Sequence, residues 1–198
     1  DVGKDPTNHP VPQEQVNDIL VERAKRGLTV VRLKGGDPYV FGRGGEEVHA
    51  CRQAGVEATV VPGITSAFSV PALAGIPVTQ RGVATSVHVA SGHVGADAAA
   101  LAALAAGSTV VFLMGVAALP GICVAALEQG VAPDLPVAMI EQGSTATERV
   151  TRATVGTAGD VVRQAGVRAP AIIVMGRVAA QGFLDDPVCA TTGVADDD

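Results

Sequence analysis

The sequence predicts a mixed α/β protein in which short strands alternate with helices. Short apolar runs rich in β-branched residues alternate along the 198-residue chain with longer segments of helical periodicity. Glycine and proline, 24 and 12 residues, separate these runs, which is typical of many short elements joined by turns. Hydrophobic residues make up 47% of the chain and aromatic residues only 3%, so we expect a core of Ala, Val, Leu and Ile.

Charge and cysteine usage exclude several classes of function. The net charge of −6 argues against a nucleic-acid-binding surface. The three cysteines, Cys51, Cys123 and Cys189, are far apart and form neither a metal-binding spacing nor a disulfide framework. They favour a reducing compartment, and we expect a cytoplasmic protein. His88 and His93 could approach each other, but their spacing is not typical of a metal site, and we predict none.

Membrane insertion is also not expected. The chain does not open with a signal-peptide pattern. Residues 98–127 carry no charge, but Gly107, Gly115 and Pro120 divide them into a helix, a strand and a helix. No uninterrupted apolar run reaches the roughly 20 residues of a spanning helix, so this stretch is interpreted as buried core.

In the first part of the chain, periodicity and turn residues predict helices and strands in alternation. The predicted elements are a helix over 13–26, a strand over 29–33, a helix from about 46 to 54, a strand over 58–61, and a helix opened by residues 64–66. Gly27 and Gly55 end the first two helices, and Pro71 kinks or shortens the third.

The second part of the chain continues the alternation. The predicted strands are 87–91, 109–114, 135–141, 149–155 and 171–175, and the predicted helices are 96–106, 116–129 and 157–165. The strand over 149–155 alternates apolar and polar residues, which is typical of an antiparallel strand. Residues 78–85 are polar and contain a glycine, so we place a domain boundary there. The predicted domains are 1–82 and 83–184, with a tail over 185–198.

The strand over 29–33 leads into the loop Gly35-Gly36-Asp37-Pro38. Paired glycines let a ligand approach the backbone closely, because no Cβ stands in the way. Asp37 beside them can accept hydrogen bonds from an amine or from ribose hydroxyls. In open α/β sheets, ligands bind at the carboxyl ends of the strands, where this loop would lie. The alternative is an ordinary turn, since Gly, Asp and Pro favour any strand-to-helix turn.

A second candidate lies at the helix opened by Ile64-Thr65-Ser66. The hydroxyls of Thr65 and Ser66 and the free N–H groups of the first turn suit a carboxylate or a phosphate. The same two residues would also serve as simple N-caps.

Several motifs in order along the chain resemble one known family. The run VVRLKGGDPYVFGRGGEE, then VVPGITSA, then AGIPVTQRGVATSVHVASGH, is similar to the uroporphyrinogen-III C-methyltransferases of the tetrapyrrole methylase family. The resemblance covers residues 1 to about 184. It implies two α/β domains with S-adenosylmethionine in the cleft between them, and a homodimer. It implies methylation of uroporphyrinogen III at C2 and C7 to give precorrin-2, in sirohaem and cobalamin biosynthesis.

The resemblance also implies roles for individual residues. The positions that match its cofactor site are Gly35, Gly36, Asp37, Val40, Thr65, Ser66, Met114 and Gly143. Lys4 matches a lysine to which the family assigns proton donation, although a solvated loop lysine is the alternative. Arg43 and Arg81 are candidates for binding the carboxylates of the substrate, because a guanidinium binds a carboxylate in a bidentate way. Either arginine could instead form a structural ion pair.

The sequence departs from the family pattern at its beginning. The family's first strand, with its glycine-rich loop, and a later strand carrying an aspartate thought to accept a proton, are not present. Residues 5–10, DPTNHP, replace the usual Arg-x-Gly-x-His-Ser. We therefore expect the 198-residue chain alone to be inactive or nearly so, and full precorrin-2 formation by it would contradict this expectation.

Three other functions compete with this interpretation. One is methylation of a later corrin intermediate, and another is a fragment that binds the cofactor but is catalytically incomplete. The third is a nucleotide-binding oxidoreductase domain, which is disfavoured because no G-x-G-x-x-G follows a strand with an acidic partner downstream.

Overall fold

The computed structural model describes residue 2 and residues 11–185. Its helices are α1 (Gln13–Lys25), α2 (Gly44–Gln53), α3 (Ser66–Leu73), α4 (Ala98–Ala105), α5 (Leu119–Glu128) and α6 (Ala158–Gln164). Its strands are β1 (Val87–Ser91), β2 (Thr109–Leu113), β3 (Pro136–Glu141), β4 (Arg149–Thr154) and β5 (Ala171–Met175). Two short 3₁₀ turns, Arg177–Ala179 and Phe183–Asp185, follow β5.

The chain divides into two compact units, Asp1–Thr65 and Ser66–Asp198. The first unit contains α1 and α2, and the second contains the sheet with the remaining helices. The domains predicted from the sequence, 1–82 and 83–184 with a tail over 185–198, stay a prediction. The described helices include none that is both long enough and apolar enough to cross a bilayer.

In the first unit, two predicted strands are wrong. Residues 29–33 and 58–61 pair with no other strand among the described residues, and both have irregular structure. A strand needs a neighbour to accept and donate its ladder of hydrogen bonds, which a run of β-branched residues does not supply by itself. Val31 and Leu33 are accordingly exposed, by 82% and 85%.

The helices of the first unit agree with the sequence pattern. The two helices, α1 and α2, pack against each other. Val16 of α1 and Cys51 of α2 are buried. Gly27 and Gly55 follow the two helix ends with φ of 80° and 73°, a left-handed conformation that glycine adopts without steric cost.

The second unit is built on a five-stranded mixed sheet of order β1-β2-β5-β3-β4. Its β1 and β2 are parallel, whereas β5 runs antiparallel to both of its neighbours, β2 and β3. The outer strand β4 is antiparallel to β3, which confirms the prediction from the alternating pattern of 149–155. The mixed α/β class predicted from the sequence is therefore confirmed.

Both faces of this sheet are covered by helices. On one face Phe112, Met139 and Ile173 pack in one buried cluster with residues of α4, α5 and α6. On the other face Val111 and Ile140 pack in a second cluster with residues of α3. Because successive side chains of a strand point to opposite faces, a central strand covered on both sides must be apolar throughout. That is why β2, β3 and β5 are apolar, apart from Thr109 at the start of β2 and Glu141 at the end of β3.

Candidate functional site

Asp37 organises the loop that follows residues 28–34. Its Oδ1 accepts a hydrogen bond from the backbone N–H of Tyr39 at 2.8 Å. Its Oδ2 accepts one from the backbone N–H of Gly63 at 3.2 Å. The carboxylate therefore joins two loops of the first unit, while each oxygen keeps a second lone pair with which to accept from a ligand.

Gly36 and Gly63 bring the backbones of these two loops together. A Cβ at Gly63 would collide with the carbonyl oxygen of Gly36. Only glycine fits such an approach, since any side chain would push the loops apart. The structure thus places Gly36 and Asp37 beside the segment that leads to Thr65, which is buried. Gly35 and Gly36 are exposed.

The continuation of the loop, residues 38–44, is compact and strained. A Cβ at Gly42 or Gly44 would lie 2.7 or 2.6 Å from the carbonyl oxygen of Pro38. Phe41 and Arg43 adopt left-handed φ values of 52° and 58°. Such backbone strain in residues other than glycine is concentrated at functional sites. The sequence reveals the glycines of this loop but not the left-handed residues between them.

Val40 and Arg43 both belong to this compact loop. The Val40 N–H donates to the carbonyl of Asp37 at 3.3 Å, which closes a tight turn. Arg43 precedes α2 and binds Glu46 in a bidentate way, at 2.9 Å from Nε and 2.7 Å from Nη2. The hydrogen bonds that Arg43 donates to the Glu46 carboxylate raise the pKa of Arg43. Arg43 thus forms an exposed ion pair with Glu46, which is the structural alternative to substrate binding.

In the second unit, the topology brings two predicted cofactor positions to one edge of the sheet. Strands β1 and β2 are parallel, and β2 and β3 both run antiparallel to the strand between them. The carboxyl ends of β1, β2 and β3 therefore meet at the same edge. Met114 follows β2 there, and Gly143 follows β3.

The turns at this edge are also left-handed. Met114, Gln142 and Ser144 have φ of 56°, 49° and 65°. Met114 is 52% exposed, which is unusual for a large apolar side chain at the end of a buried strand. A residue with a left-handed φ turns the backbone sharply away from the strand direction. The side chain of Met114 can therefore stay exposed at the end of β2.

Gly143 packs directly on α3. A Cβ at Gly143 would lie 2.5 Å from both γ-carbons of Val70. Val70 lies in the same helix as Ser66, the first residue of α3. Gly143 therefore sits against the helix whose first residue is another predicted cofactor position.

Two further features of this edge were missed by sequence reasoning. Gly92 and Gly115, which follow β1 and β2, are in contact through their backbones, and a Cβ at Gly92 would lie 2.5 Å from the Cα of Gly115. Glu141 is buried at the end of β3. It binds Arg149 at 2.6 Å and accepts from the N–H of Arg168 at 2.9 Å. The sequence signal for the first contact was a glycine after each strand, Gly92 and Gly115. No local sequence signal reveals the burial of Glu141.

Two predicted residues remain, Arg81 and Lys4. Arg81 is exposed in a turn closed by the bridge between Gln80 and Ala84. Lys4 lies outside the described residues. Within the described part of the chain, no group of three or more His, Cys, Asp or Glu side chains could hold a metal ion.

The second unit is thus a mixed α/β fold with left-handed turns and closely packed glycines at its strand ends. Comparison with protein families makes this more specific, because the family described as Tetrapyrrole (Corrin/Porphyrin) Methylases matches residues 1–159. The chain belongs to this family.

Individual relatives are similar over most of this chain. A Methanosarcina barkeri protein named S-adenosyl-L-methionine-dependent uroporphyrinogen III methyltransferase is 47% identical, covering 89% of this chain and 71% of its own length. A Methylobacillus flagellatus siroheme synthase is 44% identical, and the match covers 89% of this chain but only 38% of the relative. The chain thus spans less than two fifths of the siroheme synthases that it matches.

A solved structure confirms the likeness of the fold. The uroporphyrin-III C-methyl transferase of Thermus thermophilus, complexed with S-adenyl homocysteine, superposes with a TM-score of 0.70. It is 35% identical, and the match covers 83% of this chain and 70% of the other.

Proposed function

We propose that this chain binds S-adenosylmethionine and carries the methyl-transfer function of a uroporphyrinogen III C-methyltransferase. The observation that carries the proposal is the pair of loops joined by Asp37, in which Gly36 and Gly63 are in backbone contact. Both loops lie within the residues matched by the family. The Methanosarcina barkeri relative, named for this activity, and the Thermus thermophilus structure with S-adenyl homocysteine support the same ligand.

The cofactor residues fall into two groups. In the first unit, Gly35, Gly36, Asp37, Val40 and Thr65 form or adjoin the two loops. In the second unit, Met114 and Gly143 lie at the strand ends and Ser66 begins α3. We propose that exposed backbone at Gly35 and Gly36 contacts the cofactor, and that the free lone pairs of Asp37 accept hydrogen bonds from its amine or hydroxyl groups.

Methyl transfer depends mainly on the alignment of the methyl donor with the ring carbon that accepts the methyl group. S-adenosylmethionine supplies an electrophilic methyl group on a sulfonium sulfur. The described residues would hold the cofactor rigidly, and a correctly held pair of reactants reacts far faster than a free one. Methyl transfer would form a carbon–carbon bond to an electron-rich pyrrole carbon as the carbon–sulfur bond breaks. The ring would then carry a positive charge that the loss of a proton to solvent removes, and further proton transfers would restore the macrocycle. We propose Lys4 as the proton donor in these further transfers.

The substrate, the assembly and the location are further parts of the proposal. Exposed Arg43 and Arg81 would bind carboxylates of uroporphyrinogen III, with Arg43 exchanging Glu46 for the substrate. The names of the siroheme synthases support a place in sirohaem synthesis. We propose a place in cobalamin synthesis from the family resemblance alone. We also propose a homodimer in the cytoplasm.

The experiment measures binding on the 198-residue chain, and turnover on that chain extended by the family's first strand and its glycine-rich loop. S-adenosylhomocysteine is titrated calorimetrically, and uroporphyrinogen III is then incubated with methyl-labelled S-adenosylmethionine. The proposal predicts saturable binding and label in precorrin-2. Binding without transfer would support the catalytically incomplete alternative or a later corrin substrate. A folded chain that binds no S-adenosylhomocysteine would contradict the proposal.

A further inference from the structure

We propose that Glu47 is a positioning residue for the cofactor loop, acting through Lys34. Glu47 lies in the first turn of α2 and accepts hydrogen bonds from Lys34. Its partner Lys34 directly precedes Gly35-Gly36-Asp37. The inference rests on the proposed function, because it assumes that this loop binds S-adenosylmethionine.

The contacts of Glu47 show why it is more than a surface acid. Glu47 is 5% exposed. Lys34 Nζ donates to Oε1 at 3.0 Å and to Oε2 at 3.1 Å. Arg32 Nε donates to Oε1 at 3.3 Å, and Gln13 Nε2 donates to the same atom at 3.2 Å. One carboxylate therefore joins α1, the segment before the loop, and α2.

That segment has no sheet to hold it among the described residues. Residues 29–33 pair with no strand there, and their apolar side chains at Val31 and Leu33 are exposed. The hydrogen bonds from Arg32 and Lys34 to Glu47 link this segment to α2 through side chains. The segment continues without interruption into Gly35, so its position sets where the exposed backbone of the loop lies.

Electrostatic interactions favour a fixed position of Lys34 beside Glu47. The Lys34 side chain is only 10% exposed. Burial acts to raise the pKa of Glu47, but hydrogen bonds from Lys34 and Gln13 and the charges of Arg32 and Lys34 outweigh it and lower the pKa. A buried charge without its partner is strongly disfavoured. Neutralising Glu47 would drive Lys34 toward water and displace the loop that follows it.

A purely structural role makes a different prediction. If Glu47 only stabilised the fold, its loss would lower the unfolding midpoint while the folded molecules bound the cofactor normally. If Glu47 positions the loop, the folded molecules bind the cofactor more weakly. In steady-state assays of an active form of the chain, Glu47→Gln would raise the KM for S-adenosylmethionine. The kcat at saturating cofactor and the KM for the tetrapyrrole would stay the same.

The test is a calorimetric titration of Glu47→Gln with S-adenosylhomocysteine, at a temperature where circular dichroism shows a folded chain. Glutamine keeps the size of the side chain and removes the charge. We expect the Kd to rise at least about tenfold, which corresponds to one strong hydrogen bond to a charged group. The matched control is Glu22→Gln, which makes the same change in an exposed pair with Arg26 of the same unit and is expected to leave the Kd unchanged.

The outcomes separate the inference from the function on which it rests. If the unchanged chain does not bind S-adenosylhomocysteine, the proposed function fails and the inference with it. If the unchanged chain binds and folded Glu47→Gln binds equally well, the inference alone is overturned. If Glu47→Gln does not fold, Lys34→Gln is titrated, and an unchanged Kd there overturns the inference. Failure of both variants to fold also counts against it, since Glu47 would then be needed for folding itself.

Discussion

The carboxylate of Asp37 holds two loops of the first unit together. Both oxygens accept backbone N–H groups, one within its own turn and one from the loop that contains Gly63. A hydrogen bond to a charged group contributes about 1.5–3 kcal/mol, more than one between neutral groups. The loop pair therefore depends on the charge of this residue as well as on its size.

Asp37→Asn tests this dependence. One amide oxygen can still accept from Tyr39, but the NH₂ group cannot accept from Gly63. We expect the Kd for S-adenosylhomocysteine to rise by about tenfold or more. Asp18→Asn, the same change at an exposed position of α1, is the control and should have no effect. Equal affinity of Asp37→Asn and the unchanged chain would show that the loop does not need the charge.

Gly143 makes a prediction about stability. Gly143→Ala would place a Cβ 2.5 Å from the γ-carbons of buried Val70. Overpacking of this kind costs about 1–3 kcal/mol. Each kcal/mol corresponds to a fall in Tm of about 2–4 °C for a chain of this size. Thermal unfolding followed by circular dichroism measures it.

The control for this change has the opposite expected sign. Gly121 lies in α5 with open space around its missing Cβ. Gly121→Ala should therefore stabilise the chain by about 0.5–1 kcal/mol, because alanine has fewer backbone conformations than glycine to lose when the helix forms. A Gly143→Ala variant as stable as the unchanged chain would mean that α3 and the turn after β3 are not in close contact.

Cys123 illustrates a buried nucleophile that is kept inert. Burial raises the pKa of its thiol to about 11, despite an opposing hydrogen bond with the backbone of Gly159. The thiolate is the reactive form, so Cys123 should be alkylated by iodoacetamide far more slowly in the folded chain than in urea. Mass spectrometry of the Cys123 peptide measures both rates. Equal rates would contradict the burial of α5 against the sheet.

At the scale of elements, α1 and α2 are tied by an interaction that depends on pH. The pKa of Glu47 is lowered in the folded chain from its ordinary value of 4.5. Its contribution to stability is therefore complete above the unfolded pKa and is lost as the pH falls through the folded pKa. We expect the unchanged chain to exceed Glu47→Gln in unfolding free energy at about pH 7, and this difference to shrink below about pH 4.5.

Urea unfolding at a series of pH values measures this difference. Glu22→Gln again serves as the control, because its carboxylate is exposed and weakly paired. A difference between the unchanged chain and Glu47→Gln that stays constant down to the acid transition would show that Glu47 is not held as an anion in the folded state.

The sheet was predictable from the sequence because its central strands are covered on both faces. The strands β1 and β5 have the predicted bounds, and β2 and β3 begin or end within a residue of them. Their apolar runs and flanking glycines are local signals. The strands predicted over 29–33 and 58–61 carry the same local signal, but a strand also needs a pairing neighbour, which local pattern does not reveal.

The candidate site was predictable in its glycines and not in its long-range contacts. Gly36, Gly63 and Gly143 stand where backbones approach each other or a helix, which the residue type indicates. The bonds from Lys34 and Gln13 to Glu47, and from Arg168 to Glu141, join residues distant in sequence. The left-handed backbone conformations of Met114 and Arg43 likewise depend on the packing of the folded chain, and the local sequence does not reveal them.

At the scale of the whole molecule, the predicted cofactor residues are shared between two compact units. Gly36 and Asp37 belong to the first unit, and Met114 and Gly143 to the second. The chain spans 38% of the Methylobacillus flagellatus siroheme synthase and 71% of the Methanosarcina barkeri methyltransferase. The central claim is that this chain binds S-adenosylmethionine or its product, and that the predicted cofactor residues of each unit respond to the ligand.

Amide hydrogen exchange with and without saturating S-adenosylhomocysteine tests this claim most directly. A bound ligand slows exchange where it contacts or orders the backbone. The account predicts slowed exchange in peptides covering residues 35–40, 63–66, 114–115 and 142–144, and unchanged exchange in α6. Unchanged exchange in all four segments, or slowing confined to other parts of the chain, would contradict it.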